Sequence, residues 1–472
     1  MSHKSVGRAT WWAFALTSAA AFMVTLDNLV VTTAIPVIRT DLSAGIAGLE
    51  WMVNAYTLVF AVLLLTGAAL GDRFGRRRML AIGLGIFTVS SAAAALAPTI
   101  LTLDIARAFQ GLGGAIVMPL TLTMLSAAVP AERRGLALGA WGGITGLAVA
   151  FGPLVGGAVV SGISWHWIFW LNVPIGVALI PLVLTRLEES RGPLGRIDLP
   201  GVVLASAGLL GVVWGLVRSN TVGWASAEVI GSILAGAAVA AAFVAWERRA
   251  PTPMLPMRFF RDRTFALANL ASLLFSFGMF GSIFLLAQFF QTVQHTTALG
   301  SGLRILPWTA MPMIVAPIAG AMSDRIGGHR LMGAGLALQA VGLGWMAAIS
   351  TPTTPYIDIV APFSISGIGM ALFFAPVANV VLSSVIPEEE GQASGANNAI
   401  RELGGVLGVA VLASVFARYG GYQSDKAFTD GMVAGVWVGA GVVAVGAVAA
   451  FGIRKRSTVI AGALRVAPEV GV

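Results

Sequence analysis

Apolar runs of about 20 residues recur along the whole chain, each closed by a short polar or charged interruption. A run of that length lets an α-helix cross the hydrocarbon core of a bilayer. Barrel strands would instead read as about 10 residues of alternating polarity, and the sequence has no such pattern. Fourteen helical spans are predicted, at about 11–35, 51–70, 79–97, 102–128, 136–160, 167–185, 199–217, 227–246, 265–291, 303–322, 331–349, 357–385, 393–417 and 431–453. An even number puts both termini on one side. About 22 of the 29 Lys and Arg fall on that side, which predicts that it is cytoplasmic. The acidic run Glu388, Glu389 and Glu390 breaks the pattern without overturning it, because acids contribute little to orientation.

The most informative interruption is GAALGDRFGRRRML, Gly67 to Leu80. Gly71 and Gly75 allow a tight turn, and Arg73, Arg76, Arg77 and Arg78 anchor it on the cytoplasmic side. The pattern returns at Ala319 to Leu331, with Asp324 for Asp72, Arg325 for Arg73, Gly327 for Gly75 and Arg330 for Arg78. Gly328 and His329 make this second copy weaker. One loop used twice predicts two copies of one design. The two copies lie further apart than six spans require, and removing about 187–248 restores an ordinary length. The predicted organisation is a six-helix bundle over 1–190, an inserted helix pair over 191–250, a second six-helix bundle over 251–455 and a cytoplasmic tail over 456–472. This is an all-α polytopic membrane protein.

Composition agrees: the chain is 57% apolar and 11% charged, with mean hydropathy +0.86, where soluble proteins carry roughly 25% charged residues. The net charge of +8 sits in arginines at helix ends and reads as topology, so no nucleic-acid partner is expected. Cysteine is absent and the four histidines are isolated, so neither a disulfide framework nor a metal cluster is expected. No GxxxxGK[ST] loop points to nucleotide energy. No paired carboxylates, histidine cluster or Ser/Lys pair suggests catalysis, so a membrane-embedded enzyme is a distant alternative. The basic start and the run from Trp11, without a small-residue cleavage site, predict a retained first helix.

Ionisable residues inside spans are costly and mark functional positions. Asp27 lies about two-thirds across the first span, where it can take a proton or a cationic substrate; the competing reading is a structural hydrogen bond through Asn28 or Thr25. Arg107 lies one turn from Asp104, and positions i and i+3 share a face, so a fixed Asp104–Arg107 pair is one expectation. Arg401 and Glu402 lie near the middle of the thirteenth span. Glu402 is a candidate second proton or cation site, against an interhelical salt bridge that locks the bundle. Adjacent positions point about 100° apart, so one of the two at most faces the centre. Tyr56, Phe280, Phe284 and Phe373, with Asn28 and Asn397, are candidate substrate contacts, although most aromatics in membrane helices pack or face lipid.

Several motifs in order resemble the major facilitator superfamily, and within it the fourteen-helix drug:proton antiporter branch. They are the Gly67–Arg78 loop; Arg107 with Gln110, Gly111 and Gly113; Gly146, Gly152, Pro153, Gly156 and Gly157; and Leu26, Asp27, Val30, Val31, Ala34 and Pro36. Trp167 to Pro174, Asp198-x-x-Gly201 and Asn397 to Gly408 resemble that branch too. Glu402 departs from it, standing where an uncharged glutamine is equally expected. The resemblance implies that Arg107 lines a central cavity and tunes a nearby carboxylate. It implies that Gly67, Gly71, Asp72, Arg73, Gly75, Arg76, Asp324 and Arg325 form a gating latch. It also implies that Gly152, Pro153, Gly156 and Gly157 make a leak-preventing contact. The function implied is proton-coupled efflux of hydrophobic, cationic compounds by alternating access, with no cofactor beyond the proton gradient. The expected setting is the bacterial inner membrane, as a monomer. A dedicated exporter of one metabolite, antibiotic or lipid is the alternative.

Overall fold

The computed structural model describes residues 3–129, 134–191, 198–385 and 389–453. Its helices are α1 His3–Asp41, α2 Ile46–Phe74, α3 Arg76–Ala95, α4 Ile100–Ala128, α5 Arg134–Gly162, α6 His166–Trp170, α7 Asn172–Arg186 and α8 Leu199–Val222. They continue as α9 Ala227–Glu247, α10 Arg263–Thr292, α11 Ala298–Thr309, α12 Met311–Ile326, α13 Gly328–Ile349, α14 Tyr356–Leu382, α15 Glu390–Tyr419 and α16 Asp425–Phe451. No strand occurs among the described residues. Short polar side chains fix several helix starts: Thr99, Asp198, Ser226, Asp262, Thr297 and Ser424 each accept a hydrogen bond from a main-chain N–H of the first turn.

Among the described residues, twelve spans are long and apolar enough to cross a membrane, counting α6 and α7 as one. Two further expected spans fall on helices outside that set. One is α5, 29 residues long, in which Arg134 is the one charged residue. The other is α11 with α12, broken near Ala310. Two spans expected to be continuous are therefore interrupted, and proline lies beside both breaks. Pro174 follows the α6–α7 junction, and Pro312 opens α12. Proline has no N–H to continue the ladder and disfavours a helical residue before it.

The helices up to α7 pack among themselves, mainly α2 and α3 on α4, α3 on α7, and α1 on α5, α4 and α7. Those from α10 onward do likewise, with α10 on α15 and α16, and α13 on α14 and α16. The two groups meet along α5–α11 and α2–α15. Between them in sequence, α8 and α9 form a hairpin whose α8 reaches α2 and α15, while the apolar window of α9 is only 11% buried. That exposure suits a lipid-facing element. The repeated loop has one conformation in both copies. Gly75 (φ +104°) and Gly327 (φ +97°) both take a left-handed conformation that favours glycine. Each donates its N–H four residues back, to Gly71 O and Ser323 O, at 3.0 Å.

Successive spans alternate in direction, so one face of the bundle carries the start of α1 and the Gly75 and Gly327 turns. The opposite face, here the far face, carries the ends of α1, α5, α10 and α15.

Candidate functional site

Five helices of the first group, α1, α2, α3, α4 and α7, meet in one buried polar network. Asp27 of α1 accepts from Arg107 Nη1 (2.6 Å), Gln110 Nε2 (2.8 Å) and Asn172 Nδ2 (2.6 Å). Arg107 also donates to Gln110 Oε1 (2.7 Å) and to the Met52 carbonyl (3.3 Å). Ser91 of α3 lies 2.8 Å from Gln110 Nε2 and 3.3 Å from Asn172 Nδ2. The Arg107 guanidinium stacks over Tyr56, 4.2 Å from the ring centre. Every member is buried, with Asp27 and Arg107 each 1% exposed. A charged pair taken out of water holds only when the remaining lone pairs and N–H groups are also satisfied; here amides and a carbonyl do so.

The local sequence explains the convergence. Gly111 brings α4 against the Tyr56 main chain, and a side chain there would strike the Tyr56 carbonyl. Gly113 sets α4 against α3 near Phe87. These close crossings put the one-turn pair Arg107 and Gln110 within reach of α1.

The expected Asp104–Arg107 pair is not formed, which corrects the i, i+3 expectation. Arg107 turns inward to Asp27, and Asp104 Oδ1 is buried without a hydrogen-bond partner. A guanidinium has the reach to choose a carboxylate on another helix, and burial favours the partner that comes with further donors. Asn28, half-buried beside Asp27, is not among that acid's partners. Gln110, Ser91 and Asn172 were not singled out as site residues. As uncharged residues they carry little signal alone, though Gln110 and Asn172 fall inside two of the motifs.

Glu402 lies across the α2–α15 contact from this network, 7% exposed. Arg401 approaches its Oε1 at 3.6 Å, and its Oε2 has no hydrogen-bond partner. The Tyr56 hydroxyl lies within electrostatic reach of Asp27, Arg107 and Glu402 together. Arg401 also faces the Phe374 ring at 5.4 Å. Phe280 packs against Gly405, one turn beyond Glu402. Phe284 is buried, and Phe373 is buried and stacked on Phe275 at 4.3 Å. Asn397 donates to Asn269 (3.0 Å) and Ser272 (2.9 Å), tying α15 to α10. Two surface grooves, one along α3 and α4 from Ile82 to Phe109 and one between α13 and α14 near Trp345, lie away from Asp27 and Glu402.

At the repeated loop, Asp72 accepts from Arg76 Nε at 2.8 Å. Arg73 is exposed, over the Phe74 ring. Gly67 packs on the Ala115 carbonyl and Gly71 on Leu120, holding α2 against α4. Glu189, which the sequence did not mark, receives the N–H groups of Arg77 (2.9 Å) and Arg78 (3.2 Å) and so caps α3. Asp324 and Arg325 lie on α12, and their side chains fall outside the described residues.

The far face is closed between the two groups of helices. In α5, Gly152 packs on Leu29 and Gly156 on Val30 and Thr33 of α1, while Gly157 meets the main chain at Ala298 and Leu299. Gly302 of α11 packs on the Pro153 carbonyl. Leu299 N–H donates to Ser161 Oγ (3.0 Å), and Gln291 Nε2 donates to the Thr33 carbonyl (2.9 Å). Arg39 sits 3.6 Å over the Tyr422 ring. Burial pushes the Tyr422 hydroxyl above its ordinary range, so it stays a donor, to Gln288 Oε1 at 2.5 Å.

This is the architecture of a helical membrane transporter rather than an enzyme. The match to the Major Facilitator Superfamily model over residues 17–409 shows that the chain belongs to that family. It is 36% identical over 400 residues to the multidrug resistance protein Stp of Mycobacterium tuberculosis, covering 84% of this chain and 74% of that one. It is 32% identical to the tetracenomycin C resistance and export protein of Streptomyces glaucescens (88% and 78% covered). It is 36% identical to the cephamycin export protein CmcT of Amycolatopsis lactamdurans (85% and 84%). Among solved structures, a bacterial homologue of the human lysosomal transporter Spinster superposes with TM-score 0.66 at 17% identity, over 94% of this chain and 96% of that one. The nucleoside transporter NupG does so with TM-score 0.66 at 14% identity, over 95% and 100%.

Proposed function

We propose that the chain exports hydrophobic, cationic compounds across the bacterial inner membrane in exchange for protons, as a monomer with both termini in the cytoplasm. The relatives that carry resistance and export names support the direction and the kind of cargo. The observation that carries the coupling is the buried Asp27–Arg107 pair, held by amides and set across the α2–α15 contact from Glu402. A proton arriving on Asp27 cancels the charge that holds Arg107. The freed guanidinium must find another acceptor, which couples protonation to a rearrangement of α1 against α4. Glu402 supplies a second negative charge for a cationic cargo, and proton and cargo exclude one another by competing for the same neutralisation. Residues 1–190 and 251–455 rock about this site, the 191–250 pair rides with them, and the Asp72–Arg76 loop and the α5 glycines set which face is closed.

Transport into inverted vesicles under an imposed pH gradient tests the reading, comparing wild type with Asp27→Asn and Glu402→Gln. Asp27→Asn should insert normally and lose gradient-driven uptake of a quaternary ammonium dye. Full uptake by that variant would remove Asp27 from the mechanism. A dedicated exporter of one metabolite, antibiotic or lipid would show uptake of one compound and none of a chemically varied panel.

A further inference from the structure

A second pair of acids lies far from Asp27 in sequence, at the base of the α8–α9 hairpin. Asp198 caps α8, with Oδ1 accepting from Gly201 N–H (2.9 Å) and from the Trp246 indole Nε1 (2.8 Å). Glu247 ends α9, and its Oε2 accepts from the Leu255 N–H at 3.0 Å. The other oxygens, Asp198 Oδ2 and Glu247 Oε1, are both buried and have no hydrogen-bond donor. Both border the same small space beside Gly201. A Cβ added at Gly201 would sit 2.5 Å from the first and 2.7 Å from the second, so glycine leaves room for the two oxygens to meet. Asp198 is 9% and Glu247 3% exposed.

Among the described residues, the charges around the pair do not explain it. The backbone of the 254–255 linker donates to Glu247, and the Trp246 indole is neutral. Arg248 and Arg249 follow on the chain but are exposed, and among the described residues no ion pair reaches either acid from α2, α8, α9 or α15. Two buried acceptors that border one space are both left unsatisfied when both carboxyls are ionised. One proton between them makes one acid a donor and satisfies both oxygens at once.

We propose that Asp198 and Glu247 share one buried proton, a proton-binding site separate from the Asp27 network. So loaded, the pair fastens the start of α8, the end of α9 and the 254–255 linker together. Met254 of that linker touches Thr66 of α2, so the clasp also holds the hairpin against the first group of helices. It gives the Asp198-x-x-Gly201 motif a physical task, and it stands whatever the protein transports.

The sign of the pH dependence follows. The folded state holds a proton that the unfolded chain releases above about pH 4.5. Stability therefore falls as pH rises from there, and levels off once the pair has lost its proton. Glu247→Gln and Asp198→Asn each place an amide N–H where the proton was, so either variant makes the hydrogen bond at every pH. The experiment is melting temperature from pH 6 to 9 on the full-length protein in detergent, with the infrared C=O band of a protonated carboxylic acid recorded alongside. Wild type should lose melting temperature relative to both single amides as pH rises, and both singles should lose one protonated-acid band. The double variant, which sets amide against amide, should be less stable than either single. Parallel profiles for wild type and the singles would overturn the proposal. So would a wild type rescued at pH 9 by added Na⁺ or Mg²⁺ with no protonated-acid band, which would make the occupant a metal cation.

Discussion

The two halves place chemically opposite cores at corresponding positions. In the first, Gly113 of α4 packs beside Gly83 and Phe87 of α3; in the second, Gly369 of α14 packs beside Gly335 and Gln339 of α13. This match sets Arg107 against Phe363 and Gln110 against Ser366. Around Arg107 lie Asp27, Gln110, Ser91 and Asn172, joined by hydrogen bonds. Around Phe363 lie Phe290 (5.9 Å, edge-on) and Trp308 (5.7 Å). The polar atoms left there, in Ser366, Gln339 and the Trp308 indole, have no hydrogen-bond partners. One backbone design thus carries a salt-linked polar core in one half and a packed aromatic core in the other. The scaffold supplies the crossing geometry, and the residues that fill it, Arg107 with Asp27 in one half and Phe363 with its aromatic neighbours in the other, set whether charge collects there.

The largest expected break in this contrast is Arg107→Ala. It leaves Asp27 buried without its cation, which in soluble proteins costs about 3–5 kcal/mol. Phe363→Leu, at the matching position, should cost less than about 1.5 kcal/mol. Denaturation of the two variants in detergent measures the difference, and equal losses would dissolve the contrast. Next, Asp27→Asn should cut gradient-driven export at least about tenfold, some 1.4 kcal/mol, while Ser366→Ala stays within about twofold, some 0.4 kcal/mol on the same scale. Vesicle uptake measures both. Third, Gly157→Ala places a methyl against the Ala298 main chain, which has no rotamer to yield. Overpacking of this kind costs about 1–3 kcal/mol and should open the far face. The chain has no cysteine, so Ser161→Cys with Leu299→Cys reports closure by crosslinking yield, which should fall. The smallest effect is Glu189→Ala, which removes the acceptor for the Arg77 and Arg78 N–H groups and should cost about 0.5–2 kcal/mol of stability, read as a lower melting temperature.

The helical bundle and the repeated loop were legible because each rests on a strong local signal: span length or a charged glycine turn. Asp27 and Arg107 stood out because charge in an apolar run is rare. The resemblance implied that Arg107 tunes a nearby carboxylate, but helical spacing by itself could not say which one. Helical spacing pointed Arg107 at Asp104, and nothing along one helix reveals that a carboxylate eighty residues earlier offers a better-donated site. Ser91 and Glu189 were silent for a related reason. A serine in a membrane helix is commonly a packing residue, and a glutamate after α7 shows its partners only once α3 is folded against it. The break between α11 and α12 lies next to Pro312, but the run stays apolar through it, and apolarity alone predicts continuity.

The glycine seam between α5 and α11 has an energetic meaning beyond its tightness. Main chain meets main chain from Pro153 to Gly157 and from Ala298 to Gly302, with few bulky side chains wedged between. Parting such a contact wets peptide groups, which water welcomes, and bares little oily area. At about 25 cal/mol per Å², every 100 Å² of hydrocarbon left out of the joint removes about 2.5 kcal/mol from the work of separating it. A joint built this way brings shut and unshut forms closer in free energy than one wedged with bulky side chains would.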